Sequence, residues 1–356
     1  MKSADRSKRT TLAQVAELAG VSVMTASYTY NQPGRVSAHA RSKVLGAAAQ
    51  LGYGGPDPNA RSLRRGSTYS LGVVMGEHLS YAFEDPQAAT FLAGIADVCA
   101  ERGYGMTILP ITGAADDVRR IQDAAVDGFI IWTTSDDDPI LAAVRALKRP
   151  TVVHGGPAVP GLGLVGIDNR AAACAIGAVA FAGTGRPAVM SFPRSRERLS
   201  TIVTGADDAE TPFPVTRERL EGYRQAVGDL GIVWEDVTVA VCARNDADDA
   251  QRLTTALLNT PDRPDAIAAM SDVLAIGVVR AVRAAGLEVP DDVAVTGWDD
   301  AAVASELGLT TVAQSLREQG ADCARVALGE ESGSGAASWS LVVRGSTRSL
   351  KAPCGS

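Results

Sequence analysis

Four side chains at the start of one short predicted helix have the types and spacing to contact DNA bases. Val23, Met24 and Thr25 form its first turn, and Tyr28 lies one turn later on the same face. Apolar groups on such a face can pack on a thymine methyl group, and Tyr28 can also form one hydrogen bond. The face lacks the arginine that binds guanine through two hydrogen bonds, so it is poor in donors.

Two predicted helices and a tight turn position this face. Thr11 caps the first helix, and Gly20 ends it because glycine adopts the left-handed conformation without strain. Ser22 then caps the second helix at once. Two short helices joined in this way are typical of the helix-turn-helix, in which the second helix enters a DNA major groove. An ordinary helical hairpin is the alternative interpretation.

The charge distribution separates a basic beginning from an acidic remainder. Residues 1–66 contain ten Lys and Arg and three Asp and Glu, so their net charge is +7, whereas the whole chain carries −7 and the rest therefore −14. A basic segment attached to an acidic body is expected when only the segment binds phosphate groups.

The same 66 residues resemble the DNA-binding head and hinge of the lactose-repressor (LacI/GalR) family of bacterial transcriptional regulators. The matching motifs are the A-G-V-S turn, the V-S that precedes a third helix at about Ala38–Leu51, the L-G-Y at 51–53 and the A-R-S-L at 60–63. One extra residue stands between Tyr53 and Pro56. The resemblance implies a helix-turn-helix head at 1–56 and a hinge helix at 57–68.

The resemblance also assigns roles on double-stranded DNA. Residues predicted to hold the DNA backbone are Ser22, Thr25, Asn31, Arg35 and Ser37. In the hinge, Ala60 and Leu63 are predicted DNA contacts, with Leu63 inserted into the minor groove as a wedge. Family members usually carry Arg at the position of Tyr28, so a non-standard operator is expected, with loss of specific binding as the rival hypothesis. Two half-sites imply a homodimer and a near-palindromic operator.

From about Ser70 onward, apolar strands alternate with helices, which indicates parallel sheets covered by helices. Two such halves follow each other, at about 70–167 and 168–298. The tail is predicted to add a strand from Thr310, a helix at Leu316–Leu328, a Gly/Ser loop at Ser332–Ser338 and a last strand at Trp339–Arg344.

This α/β part also resembles the family, through R-L-E-G-Y at 219–223, P-D-A-I-A-A-M-S-D at 264–272, V-P-D-D-V-A-V-T-G-W-D-D at 289–300 and L-T-T-V-A-Q at 309–314. The resemblance implies a two-lobed domain like periplasmic sugar-binding proteins, at 69–356, with doubly wound parallel sheets. Lobe 1 is predicted at about 70–167 plus 300–327, and lobe 2 at about 168–298 plus 328–350. The chain is expected to cross between the lobes near Asp168, Asp299 and Leu328.

A small sugar-like effector is expected in the cleft between the lobes, where strand ends meet. The predicted effector-binding residues are Phe83, Trp132, Arg219, Ser271 and Asp299. Asp299 follows a strand and can accept two sugar hydroxyls, Arg219 matches the family's ligand-contacting Arg, and Trp132 can stack on a sugar face or simply pack. Asp85 and Asn245 are weaker candidates. Asp272 is predicted to cap the helix that begins at Val273.

Other features argue against catalysis, cofactors and membranes. The five Cys and three His show no metal-ligand spacing, so no metal site is predicted. A G-x-G-x-x-G match at Gly161–Gly166 lies on a predicted strand rather than before a helix, so no nucleotide cofactor is expected. No paired carboxylates or Ser-His-Asp arrangement indicates an enzyme. The start has no signal segment, and no apolar run could span a membrane, so the protein is expected in the cytoplasm.

These features favour a DNA-binding transcriptional repressor that works as a dimer and responds to a sugar or a related metabolite. Two alternatives stay open. One is a DNA-binding regulator of the same fold that no longer responds to an effector, and the other is a solute-binding protein with a degenerate head.

Overall fold

The computed structural model describes residues 10–55, 67–76, 80–207, 211–330 and 334–348. The chain divides into two compact units, with the boundary after Thr68. The first unit is the helical head, and the second contains both parallel sheets.

The head consists of three short helices on a small apolar core. They are α1 (Leu12–Ala19), α2 (Val23–Asn31) and α3 (Ala38–Gln50), with a 3-10 turn at Pro33–Arg35. Thr11 and Gln14 form a capping box at the start of α1, and Gly20 ends the helix with φ of 64°. The core contains Val15, Ala16, Ala19, Ala26, Val44, Ala47 and Ala48. Its alanines let the helices cross closely, as the predicted helix-turn-helix requires.

Lobe 1 of the second unit is built on a six-stranded parallel sheet. Its strands are β1 (Ser70–Met75), β2 (Gly105–Pro110), β3 (Gly128–Trp132), β4 (Thr151–His154), β5 (Gly163–Gly166) and β12 (Ser334–Ala336), in the order β12-β5-β4-β3-β1-β2. Its helices are α4 (Tyr81–Glu84), α5 (Pro86–Arg102), α6 (Asp117–Asp123), α7 (Pro139–Leu147) and α13 (Leu316–Ala327). Helix α13 packs closely on α5, where a Cβ on Gly320 would lie 2.2 Å from the Phe91 carbonyl oxygen.

Lobe 2 has a five-stranded sheet in the order β10-β9-β6-β8-β7. The strands are β6 (Pro187–Ser191), β7 (Thr201–Thr204), β8 (Thr238–Val241), β9 (Ala266–Ala269) and β10 (Ala294–Thr296), and β7 alone pairs antiparallel. The helices are α8 (Asn169–Ala180), α9 (Pro214–Asp229), α10 (Ala247–Leu258), α11 (Asp272–Ala284) and α12 (Ala302–Leu307). An antiparallel pair, β11 (Thr311–Gln314) with β13 (Trp339–Val342), packs on the same core.

Two of the three predicted crossings between the lobes lie further along the chain than expected. The first lies near Asp168, between β5, which ends at Gly166, and the helix that begins at Asn169. The segment after Asp299 stays with lobe 2, because α12 and β11 contribute Ala304 and Val312 to its core. The second crossing therefore follows Gln314, where α13 begins in lobe 1. The third lies between β12 and β13, so the boundaries 300–327 and 328–350 were wrong.

The predicted Gly/Ser loop at Ser332–Ser338 was also wrong in part, because residues 334–336 form β12. This strand pairs parallel with β5, Ser334 opposite Leu164 and Ala336 opposite Gly166. Segments rich in Gly and Ser usually form loops, but here the free edge of β5 provides backbone hydrogen-bond partners. The composition of the segment cannot reveal such a partner.

Candidate functional site

The predicted base-contacting face of α2 is exposed and apolar. Val23 and Met24 are 51% and 64% exposed, although the cores of soluble domains usually bury such residues. Ser22 caps the helix, since its Oγ accepts from the Thr25 amide at 3.0 Å. The Ser22 and Thr25 hydroxyls lie 2.9 Å apart and can hydrogen-bond to each other. The face therefore offers methyl groups and two small hydroxyls.

Tyr28 and Arg35 pack together at the edge of this face. The Arg35 guanidinium carbon lies 5.9 Å from the centre of the half-buried Tyr28 ring, within the range of a cation–π contact. Asn31 donates to the Ser27 hydroxyl at 3.2 Å, and Ser37 caps α3 through the Ala40 amide at 3.3 Å. Arg35 is exposed and contacts α2 through the Tyr28 ring. The predicted hinge residues Ala60 and Leu63 lie outside the described residues.

A cavity of about 150 Å³ lies in the second unit, between the two lobes. Lobe 1 contributes Asp85, Trp132, His154 and Gln319 to its lining, lobe 2 contributes Asn169, Phe192, Arg219, Asn245 and Asp299, and Gln314 lies where the chain crosses. Trp132 and His154 end adjacent strands and are register partners in β3 and β4. The site thus forms where the carboxyl ends of parallel strands meet.

Arg219 is buried in the cavity wall, although it is charged. Its Nε donates to Asn169 Oδ1 at 2.9 Å, and its Nη1 donates to the Met270 carbonyl oxygen. Its guanidinium lies over the Trp298 ring, 3.7 Å from the centre. Burial lowers the pKa of Arg219 to about 10, and the nearby Asp299 opposes that shift. The side chain is therefore cationic at neutral pH and fixed in one orientation.

Asp299 faces Arg219 from a strained turn. Its backbone φ is 104°, a conformation that non-glycine residues rarely adopt, and Asp300 follows with φ of 52°. Asp299 Oδ1 accepts from Gln314 Nε2 at 2.7 Å. Burial raises the pKa of the carboxyl to about 8, while Arg219 opposes the shift. The turn is held by Asp272, which accepts from the Ala301 amide at 2.7 Å.

Two of the five predicted effector residues do not line the cavity. Phe83 is 70% exposed, because helix α4 is only one turn long and leaves its ring outside. Ser271 is buried and caps α11 through the Leu274 amide at 3.1 Å, and its hydroxyl also donates to Asn245 Oδ1 at 2.6 Å. The capping role predicted for Asp272 thus belongs to Ser271. Trp132, Arg219 and Asp299 do belong to the lining.

Hydrogen bonds connect the lobes around the cavity. Asn245 of lobe 2 donates to Asp85 of lobe 1 at 2.7 Å. At the rim, Arg217 Nη1 donates to Asp136 Oδ2 at 2.6 Å, and the Asp136 amide donates to the Pro212 carbonyl oxygen at 3.0 Å. The lobes are therefore in contact through polar groups, which can exchange with water when the lobes separate.

His154, Gln314, Gln319 and Asn169 line the cavity but were not predicted. His154 could have been found from the rule that selected Trp132, because it also ends a buried strand. Gln319 lies inside α13, and nothing in its local sequence indicates a cavity. Among the described residues, no group of three His, Cys, Asp or Glu could hold a metal ion. No helix within the described ranges is long and apolar enough to span a membrane.

Comparisons with known proteins agree with this architecture. Residues 11–56 match the model for bacterial regulatory proteins of the lacI family, and residues 197–347 match a periplasmic binding protein-like domain. The HTH-type transcriptional regulator Rv3575c of Mycobacterium tuberculosis is 35% identical over 88% of this chain and 89% of its own length. The chain belongs to the lacI family. The predicted family and the two-part fold class are thereby confirmed.

The printed names of two further relatives of this lacI-family regulator mention a sugar. The ribose operon repressor of Escherichia coli K12 is 30% identical over 87% of this chain and 89% of that repressor. A solved complex of the transcriptional regulator CelR with cellobiose superposes with a TM-score of 0.64 at 26% identity, covering 95% of this chain and all of that one. The chain is therefore a DNA-binding transcriptional regulator. Its named relatives are also regulators rather than enzymes.

Proposed function

We propose that this regulator is a repressor that binds a near-palindromic operator as a homodimer in the cytoplasm, under the control of a small neutral sugar in the interlobe cavity. The observation that carries the effector proposal is that the Arg219 guanidinium and the Asp299 carboxyl are both held in place by hydrogen bonds in the cavity wall. A carboxyl group and a guanidinium that are held in place can bind adjacent hydroxyls without further ordering. A sugar effector is supported by the CelR–cellobiose complex and by the ribose operon named in the other relative.

Charge and size narrow the ligand class. Two carboxyl groups, of Asp85 and Asp299, and two guanidinium groups, of Arg198 and Arg219, line the cavity, and a neutral ligand that offers hydroxyls can pair with both kinds. The volume of about 150 Å³ lies below the 300–1,000 Å³ usual for pockets of drug-sized ligands. We therefore expect a monosaccharide-sized effector rather than a disaccharide.

The control mechanism follows from the contacts between the lobes. A ligand that bridges Arg219 of lobe 2 and Trp132 of lobe 1 stabilises the closed arrangement. Closure changes the distance between lobe 1 of one protomer and lobe 1 of its partner. The distance between the two hinges changes with it, and the affinity for DNA therefore changes as well. Whether the effector raises or lowers the affinity for DNA is measured in the second experiment described below.

The first experiment is selection of bound DNA from a random duplex pool at a fixed salt concentration. We expect a near-palindrome with a flexible central step, and Leu63→Ala should weaken specific binding much more than non-specific binding. Equal losses in the two kinds of binding would contradict the wedge role. Absence of any enriched sequence would support loss of specific binding by the head.

The second experiment tests effector control. Thermal stability of the full chain is measured with D-ribose, D-xylose, D-glucose, D-galactose and cellobiose, and affinity for the selected DNA is then measured with each sugar that stabilises the protein. We expect a monosaccharide to stabilise the chain and to change DNA affinity. Sugars that bind but leave DNA affinity unchanged would instead support a regulator without effector response.

A further inference from the structure

The imidazole of His154 is a buried polar group that the proposed effector contacts do not yet use. The residue lines the cavity and is only 6% exposed. Its Nε2 lies 2.8 Å from Gln319 Oε1, whereas its Nδ1 is buried and has no hydrogen-bond partner among the described residues. A buried ring nitrogen without a partner lowers stability, and an apolar side chain would fill the same space without that cost.

A chain of hydrogen bonds determines which ring nitrogen carries the proton. Asp299 Oδ1 accepts from Gln314 Nε2 at 2.7 Å, so Gln314 turns its oxygen toward Gln319. Gln319 Nε2 donates to that oxygen at 3.1 Å, which turns Gln319 Oε1 toward His154. His154 must then donate from Nε2, and Nδ1 is left as an acceptor.

The surroundings keep the ring neutral and in place. The Trp132 ring is stacked on it with centres 4.9 Å apart, and the Phe91 ring lies 4.6 Å away. Burial lowers the pKa of His154 to about 4, the hydrogen bond to Gln319 opposes the shift, and the charge of Arg219 adds to it. A neutral, oriented imidazole presents one acceptor of fixed direction.

We propose that His154 is an effector-binding residue whose Nδ1 accepts a hydrogen bond from a ligand hydroxyl, and that Gln319 and Gln314 are the positioning residues that prepare it. The ligand is then a neutral polyol with separate hydroxyl donors for Asp299 and for His154. This inference rests on the proposed function, because it requires a ligand in the cavity.

The positioning step can be tested without any ligand. Long-range nitrogen NMR of full-length protein labelled at histidine separates the two tautomers, and the spectrum of His154→Leu identifies the signals of this residue. We expect His154 to be neutral with the proton on Nε2 at neutral pH, and Gln319→Leu to produce a mixture of tautomers. A proton on Nδ1, or a charged ring at neutral pH, overturns the proposal.

The ligand step uses the sugar panel named above together with 2-deoxy-D-ribose and 2-deoxy-D-glucose. For a sugar that binds the wild type, His154→Leu should weaken binding about two- to tenfold, the range of one neutral hydrogen bond. A deoxy analogue that lacks the partner hydroxyl should bind both proteins equally. Unchanged affinity of His154→Leu for every parent sugar overturns the binding role.

Failure of the proposed sugar control can be distinguished from failure of the proposed role of His154. If no sugar of the panel stabilises the wild type, the proposed sugar control is wrong, and so is the proposal that a sugar hydroxyl donates to His154. The tautomer measurement still decides the role of Gln319 and Gln314. Melting of His154→Leu and Gln319→Leu in the absence of sugar shows whether either variant has simply failed to fold.

Discussion

The two regions that we propose bind ligands, the head and the cavity, are built in opposite ways. On the head, Val23 and Met24 are exposed, and the helix backbone alone determines where they point. In the cavity, Arg219 and His154 are buried and held by hydrogen bonds to Asn169 and Gln319. The difference teaches that DNA specificity can change by surface substitution at little cost in stability, whereas a change of effector specificity must preserve a buried hydrogen-bond network.

The largest effect that would sharpen this contrast is expected for Arg219→Met. Removal of the guanidinium takes away a charged donor for ligand hydroxyls, each such hydrogen bond being worth about 1.5–3 kcal/mol, and leaves Asn169 Oδ1 without its donor. We expect at least a hundredfold weaker binding of the sugar that stabilises the wild type most, measured by calorimetry. The control is Arg224→Met, on the same helix and partly exposed, which should bind within about twofold of wild type. Similar losses in both variants would contradict the role of Arg219.

Asp299→Asn should change the pH dependence of stability. The unfolded carboxyl loses its proton near pH 4, whereas burial raises the pKa of the folded carboxyl to about 8. Stability of the wild type relative to the variant should therefore fall as pH rises from about 4 to about 8 and stay level above that. Denaturant midpoints of both proteins at about pH 5, 7 and 9 measure this, and parallel pH profiles would count against a raised pKa.

On the head, Ser22→Ala should act on local stability. The variant loses the cap of α2 at the Thr25 amide, which typically costs about 1 kcal/mol. Hydrogen exchange of the α2 amides in the full chain should become about fivefold faster, with the cavity unaffected. Ser42→Ala, an exposed site in the middle of α3, is the matched control and should leave exchange unchanged. Faster exchange in both variants would show that the cap is not the cause.

The smallest effect is expected for Tyr28→Phe. If the Tyr28 ring acts by packing under Arg35, loss of the hydroxyl should change affinity for the selected operator by less than about twofold. Tyr28→Ala removes the ring and should cost more, up to about fivefold. A loss in Tyr28→Phe equal to that in Tyr28→Ala, measured by fluorescence anisotropy at constant salt, would show that the hydroxyl itself contacts the DNA.

Local signals predicted the head well. Thr11, Gly20 and Ser22 act within a few residues of themselves, and the structure has the caps and the turn at these positions. Strand ends predicted Trp132 and Asp299 as lining residues because the edge where parallel strands meet follows from alternation alone. Such features need no knowledge of distant contacts.

Residues whose surroundings come from remote parts of the chain were harder to predict. Ser271 takes the capping role expected of Asp272, because the Asp272 side chain accepts from the Ala301 amide far along the chain. Gln319 contributes to the cavity only through its contacts with His154 and Gln314. Strand β12 depends on the free edge of β5. No local pattern encodes these long-range partners, which is why sequence reasoning missed them.

The late return of β12 has a consequence for the order of protein synthesis. Ser334 pairs with Leu164 only after every residue of the lobe 2 sheet has been translated. Domains usually fold as units and in order from the ribosome, but here the first sheet must wait for its edge strand. Translation that stops in the intervening segment would release a chain with an unpaired β5 edge, which quality-control proteases and chaperones can recognise.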